Sequence, residues 1–290
     1  MTKTTYNQKE REERVKQALS MLEQGVKEVI CSENWGEYLK IQSKFHHYSF
    51  ANAMLIFIQK PDAEQVAGYK TWESLGRWVK KGSKGIKILA PITRNIKTVE
   101  FDEEKKEEKE VKKSIIYGFK VVNVFDISQT DGKELPNICH ELPEESPEAE
   151  KILNAMYKVV RIPVEDGDTG RAKGWYSPLE DKIRLSDKIG SSQKAKTFVH
   201  EYTHSLLDRK DAEVKRTRDE MEIVAESVAF VVCHHFGFNT SSYSFEYLAS
   251  WTGGGVNIEK VQQLGEVIQK TATRIIDKIS KALEREVNVA

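Results

Sequence analysis

Thr197-Phe198-Val199-His200-Glu201-Tyr202-Thr203-His204 is the stretch on which the reading of this chain turns. Ala195, Phe198, Val199, Tyr202 and Leu206 recur at helical spacing, Gly190 closes whatever precedes, and Ser191 or Ser192 is placed to cap a helix start. On such a helix, residues four apart share one face, so His200 and His204 can offer imidazole nitrogens to one zinc ion. Glu201 then stands beside the metal, where a carboxylate can take a proton from water. The arrangement points to metal-assisted hydrolysis. Three fixed residues do not decide alone, because a surface helix with two incidental histidines carries the same letters.

A zinc site of this kind needs a third protein ligand. Thr217-Arg218-Asp219-Glu220 reads as a capping box opening a second helix, and Met221, Ile223, Val224, Ala225, Val228, Ala229, Val231 and Val232 make that helix nearly all apolar. Glu222 and Glu226 interrupt the run four residues apart. Like charges at this spacing repel and carboxylates are rarely buried unpartnered, so a cation between them and the histidines accounts for both. Glu222 is assigned as ligand and Glu226 as the group that orients a histidine, with the exchanged roles kept open. Without a metal, Glu222 is a first-turn carboxylate favoured by the helix dipole and Glu226 lies on a solvated face. Cys233-His234-His235 before Gly237 reads as the helix end, with a histidine there as a substitute for Glu222.

Around this centre, 290 residues allow one large or two modest domains, and a hydrophobic share of 39% suits a globular chain. Basic and acidic residues balance at 45 each, so only their local distribution can favour nucleic acid. Cys31, Cys139 and Cys233 are odd in number and lack paired spacing, which argues against a disulfide framework and for a reducing cytoplasm. No signal-peptide core and no apolar run of membrane-spanning length is present, so a membrane partner is not expected.

Polar residues up to about 10 are expected to fray, followed by helices over 15–30, 35–45 and 49–59, the last stopped by Pro61. From Val66 glycines punctuate aromatics, and Ile86, Ile88 and Leu89 begin a strand. Residues 96–101 and 114–125 read as a strand pair, with the charged run 102–113 as a solvated hairpin extension between them. The proline- and glutamate-rich stretch 137–147 reads as a linker; His140-Glu141 within it echoes the zinc motif, but Pro143 would break the helix. A helix over 149–159 and short strands at 162–164 and 182–185 follow, flanking Gly174-Trp175-Tyr176-Ser177-Pro178. Such strands could hold an extended peptide by edge pairing, with Tyr176 either a packed rim aromatic or a group reaching the reacting oxygen. Tyr247, Leu248 and Trp251 start a packed element that Gly253-Gly254-Gly255 ends, and a long amphipathic helix over 261–283 closes the chain.

Between residues 70 and 97, Lys70, Arg77, Lys80, Lys81, Lys84, Lys87, Arg94 and Lys97 face a single acid, Glu73, and are interleaved with Trp72 and Trp78 just after Tyr69. A single-stranded nucleic acid site has this make-up, charges tracking phosphates and rings stacking on unpaired bases. Buried tryptophans in a small sheet with a lysine-rich solvated turn have the same make-up.

Two groups of motifs then carry a family likeness. Tyr48-Ser49-Phe50-Ala51-Asn52, Leu55-Ile56, Gln59, Pro61, Gly68, Trp72, Leu75-Gly76-Arg77, Val79-Lys80-Lys81-Gly82, Lys84-Gly85-Ile86 and Pro91, with Val122-Asn123-Val124-Phe125-Asp126, Gln129-Thr130 and Gly132, resemble the N-terminal domain of ArdC-type antirestriction proteins. His200 to His204, Glu222 to Glu226, and Tyr247-Leu248-Ala249-Ser250-Trp251 are similar to the zincin-type metallopeptidase domain that follows it in that family. The resemblance implies a single-stranded-DNA-binding domain over 1–136, the linker over 137–147 and a zinc peptidase domain over 148–290, carried on a mobile element and protecting incoming DNA. It makes Tyr48, Asn52, Gln59, Trp72, Arg77, Lys80, Lys81 and Lys84 candidates for DNA contact, Trp72 foremost among those expected to be structural as well. The expectation is thus an α+β protein: an N-terminal helical cluster with a small antiparallel sheet, then a zincin-like domain with a helical C-terminus. Its ligands would be Zn2+ on His200, His204 and Glu222, single-stranded DNA, and a protein or peptide substrate attacked by water that Glu201 activates. A DNA-binding protein with a structural or vestigial zinc centre, and a repressor-cleaving peptidase without DNA affinity, are the rival readings.

Overall fold

Polar residues do not stop the first helix. In the computed structural model α1 runs from Lys3 to Ile30, so much of the segment expected to fray is helical, with exposed pairs such as Arg14 on Glu10 at 2.6 Å supporting it four residues apart. The structure describes residues 3–30, 34–102, 107–135, 142, 147–209, 214, 216–238 and 257–287. Helix α2 (Trp35–Lys44) and helix α3 (Phe50–Gln59) follow. Ser49 caps α3 by accepting the amide of Asn52 at 3.3 Å. Ala53, Met54, Leu55 and Ile56 are all fully buried, as a helix apolar on every side requires.

The glycine-punctuated stretch then forms β1 (Val66–Ala67), a short helix α4 (Tyr69–Ser74) that the sequence does not announce, and β2 (Arg77–Val79). The long strands β3 (Ile86–Asp102) and β4 (Glu107–Asp126) pair antiparallel from Ile86 opposite Val124 to Asp102 opposite Glu107, so the described part of the charged run extends the hairpin as expected. The register shifts between Ile92 and Thr93. Strand order is β1-β4-β3. The carboxylate of Asp126 is buried and accepts amides from Glu64, Gln65 and Ser128. That anchor turns the chain into β5 (Thr130–Gly132), which pairs with β2.

The second half holds α5 (Pro147–Val159), β6 (Val164–Gly167), β7 (Gly174–Ser177), β8 (Lys182–Ser186), α6 (Ser191–Leu207), α7 (Arg218–His235) and α8 (Ile258–Val287). The stretch at 174–177, expected between strands, is itself one, antiparallel to β8, while β6 lies parallel to β8 on its other side. Neither serine caps α6; Gly190 takes the cap position without a side-chain bond. Of the expected linker only Leu142 and Pro147 are among the described residues, and Leu142 donates its amide to Gly237 at 2.7 Å. Cys31, Cys139, the His140-Glu141 echo and the element expected at 247–255 lie outside the described residues. Cys233 is buried.

Helices and small sheets segregate along the chain, giving an α+β architecture. Buried residues from both halves, among them Val26, Leu39, Met54, Ile183, Phe198, Val228 and Ile275, belong to one continuous core. The indole of Trp35 on α2 donates to Ser227 Oγ on α7 at 3.1 Å across that core. On α8, a Cβ placed at Gly265 would come within 2.2 Å of the Phe50 ring, so only glycine permits the close approach of α8 to α3.

Candidate metal centre

Helix α6 buries Ala195, Phe198, Val199 and Tyr202, which turns the opposite stripe, His200 and His204, toward α7. Helix α7 starts at the reciprocal cap anticipated from sequence: Thr217 Oγ1 accepts the Glu220 amide at 3.3 Å and Glu220 returns a carboxylate to the Thr217 amide at 3.1 Å. Its buried valines and alanines pack on α6, and Glu222 and Glu226 emerge one turn apart facing the histidines.

The ligand atoms form a triangle. His200 Nε2 and His204 Nε2 are 3.1 Å apart, Glu222 Oε2 is 3.4 Å from the first and 3.9 Å from the second. Bonds of about 2.1 Å in tetrahedral geometry would separate ligand atoms by about 3.4 Å, so the three match a metal of that kind. Both imidazoles are also held from behind: Glu226 Oε2 lies 3.2 Å from His200 Nδ1, and Asp208 Oδ2 lies 2.9 Å from His204 Nδ1. A carboxylate on Nδ1 keeps the proton there and leaves the Nε2 lone pair for the metal. Sequence reading missed Asp208, although its place four residues after His204, at the C-cap of α6, is a usable signal. Arg216 in turn reaches Asp208 Oδ1 at 3.5 Å.

Carboxylates dominate the electrostatics around the two rings. Burial works against charge on His200, but Glu222, Glu226 and Glu201 outweigh it and raise its pKa to about 10. Glu222 is held below its ordinary range by its bond to His200, and burial raises Glu201 against the pull of both histidines. Glu201 lines a cleft of about 330 Å³ together with His200, Glu226, Thr197, Lys173 and Gly174. Strand β7 forms a wall of it. A Cβ at Gly174 would approach Thr197 Cγ2 to 2.6 Å, so glycine lets the strand lie against α6. Tyr176 packs on the core and donates its hydroxyl to Asp181 at 2.9 Å. His234 and His235 sit at the far end of α7, with ring nitrogens at Ser43 rather than beside Glu222.

The candidates over 48–84 divide. Asn52 clasps the backbone of Leu89 in both directions at 2.9 Å, and Gln59 does the same to Lys87 at 2.9 and 3.0 Å, so α3 covers the outer edge of β3 with two amide side chains. Trp72 is buried and donates to the Phe125 carbonyl at 2.8 Å. Arg77 binds Thr130, Gly132 and Lys133, and Tyr48 is half-buried with its hydroxyl toward Val66. Lys80, Lys81 and Lys84 are exposed, as are Lys70, Lys87, Tyr69 and Trp78. Lys80 leans on Asp131 at 3.4 Å.

Fold and centre define an α+β protein built around two imidazoles of one helix and a carboxylate of the next. Residues 8–125 match the family model for the N-terminal domain of anti-restriction factor ArdC. The fold is similar to that of the metal-free crystal structure of antirestriction ArdC from the R388 plasmid, with a TM-score of 0.56 and 18% identity over 91% of this chain and 98% of that one. The Mn(II)-bound structure of the same R388 protein matches with a TM-score of 0.56 and 19% identity over 90% and 97%. An uncharacterised protein of Bacillus anthracis is 28% identical over 297 residues, 88% of this chain. The chain spans 50% of the length of that curated relative. Among the described residues no helix is long and apolar enough to cross a membrane.

Proposed function

We propose that this chain is a metal-dependent peptidase joined to a single-stranded-DNA-binding segment, acting in the cytoplasm to protect DNA that arrives with a mobile element. The hydrolase half rests on the triangle of His200 Nε2, His204 Nε2 and Glu222 Oε2, with Glu226 and Asp208 behind the two rings. A divalent cation there, zinc by the donor set or manganese by the example of R388 ArdC, supplies a Lewis acid that polarises a carbonyl and acidifies water. Glu201 takes the proton of the attacking water and returns it to the leaving amine. Edge strand β7 offers backbone groups to an extended peptide lying along the cleft. Residues 148–290 carry this chemistry and residues 1–136 the DNA grip, with 137–147 between them.

The grip is built from Tyr69, Trp78, Lys70, Lys80, Lys81, Lys84 and Lys87, whose rings and ammonium groups are exposed. Asn52, Gln59, Trp72 and Arg77 shape that surface from below. Glu201→Gln tests the hydrolase. The variant should keep its metal and its affinity for single strands while cleavage of DNA-associated proteins, followed by mass spectrometry, drops about 10²- to 10⁴-fold. If the wild type and the variant cleave equally poorly and protect DNA equally well, the metal centre is structural. Absence of strand binding at any salt concentration would leave a peptidase without DNA affinity.

A further inference from the structure

Four of the seven histidines gather away from the centre described above. His46 and His47 close the turn between α2 and α3, and His234 and His235 end α7. Asp277 of α8 meets the first pair: its Oδ1 lies 4.0 Å from His46 Nε2 and 3.9 Å from His47 Nε2. One ligand atom from each of the three falls within 4.8 Å of the other two. The turn is seated by the same stripe of α8. The His46 carbonyl accepts from Gln269 Nε2 at 2.9 Å and from Thr273 Oγ1 at 2.5 Å, and 269, 273 and 277 succeed one another at four-residue spacing. The His235 ring closes the inner side, edge-on to His46 at 4.6 Å between centroids and anchored by its Nδ1 at the Ser43 carbonyl, 3.1 Å away.

We propose that His46, His47 and Asp277 form a second divalent-cation site, for zinc or another metal that prefers imidazole, which fastens the α2–α3 turn to α8. The two Nε2 atoms lie at nearly equal distance from the Asp277 oxygen, so the three ligand atoms surround a common space that one cation can share. Tetrahedral bonds of about 2.1 Å require ligand atoms about 3.4 Å apart. The side chains of His47 and Asp277 are 70% and 41% exposed, so rotation at the surface can draw both in while His46, 11% exposed, stays fixed. The exposed side leaves room for water as the fourth ligand.

Equilibrium dialysis of the chelator-stripped full chain against Zn2+, with elemental counting, tests the site. Wild type should hold two equivalents, His47→Ala one, His200→Ala one and the double variant none. His47 is exposed, so its alanine variant should keep the wild-type circular dichroism. One equivalent in the wild type that His47→Ala retains, or two in His47→Ala, overturns the second site. One equivalent in both the wild type and His200→Ala, with none in His47→Ala, would sink the His200 centre and leave this one standing.

Discussion

The α6–α7 centre and the basic stretch over 70–97 are both crowded with reactive side chains, yet those side chains face different partners. At the centre they face one another: two imidazoles converge on a third group, and carboxylates back both rings. In and around the basic stretch, the polar groups with the strongest claim on a ligand hold backbone instead. Asn52 holds Leu89, Gln59 holds Lys87, Trp72 holds Phe125 and Arg77 holds β5. Metal chemistry fixes both residue type and spacing, whereas a small irregular sheet needs the same amides, guanidinium and indole that a nucleic acid would.

The largest effect should come from separating the two tryptophans. Trp72→Ala removes a fully buried indole and should cost about 3–5 kcal/mol in denaturant unfolding. Trp78→Ala should leave stability within about 0.5 kcal/mol and weaken single-strand binding by about 1–3 kcal/mol. Equal losses of stability would erase the contrast. Next, Asp208→Asn should lower metal affinity about 10- to 100-fold in a chelator competition, because His204 loses the carboxylate that orients it. An unchanged affinity would reduce Asp208 to a partner of Arg216. Lys81→Ala with Lys84→Ala should flatten the salt dependence of strand binding, the logarithmic slope falling by roughly 1.4 for two phosphate contacts.

The smallest effect expected is with pH. Burial, then the charges of Lys44 and Lys40, lower His234 from 6.5 to about 4. Between those values the unfolded chain takes up a proton that the folded chain does not. The ring's contribution is therefore complete above about pH 6.5 and is lost as pH falls toward 4. With chelator present, His234→Gln should show a shallower fall of Tm over that window. Identical profiles would assign the pH dependence elsewhere.

The centre was legible because its parts are local: His200 and His204 on one turn, Thr217 and Glu220 closing one cap, Glu222 and Glu226 interrupting one apolar face. Asp208 was missed because a lone aspartate at a helix end resembles an ordinary terminus until His204 is seen to reach it. Helix α4 was missed because glycines on either side read as loop, and its formation depends on Trp72 finding the core and the Phe125 carbonyl. The length of β3 and β4 was hidden by the charged run, since strands outside a core need no alternation of apolar residues. Nothing local tells that Asn52 and Gln59, seven apart on α3, would meet alternate residues of β3.

The tie from Trp35 to Ser227, set in an interior that both halves share, has a consequence for inheritance. A gene broken between the halves would yield two polypeptides, each baring the greasy wall the other normally hides. Recombination that keeps the N-terminal and C-terminal halves together keeps that shared interior closed.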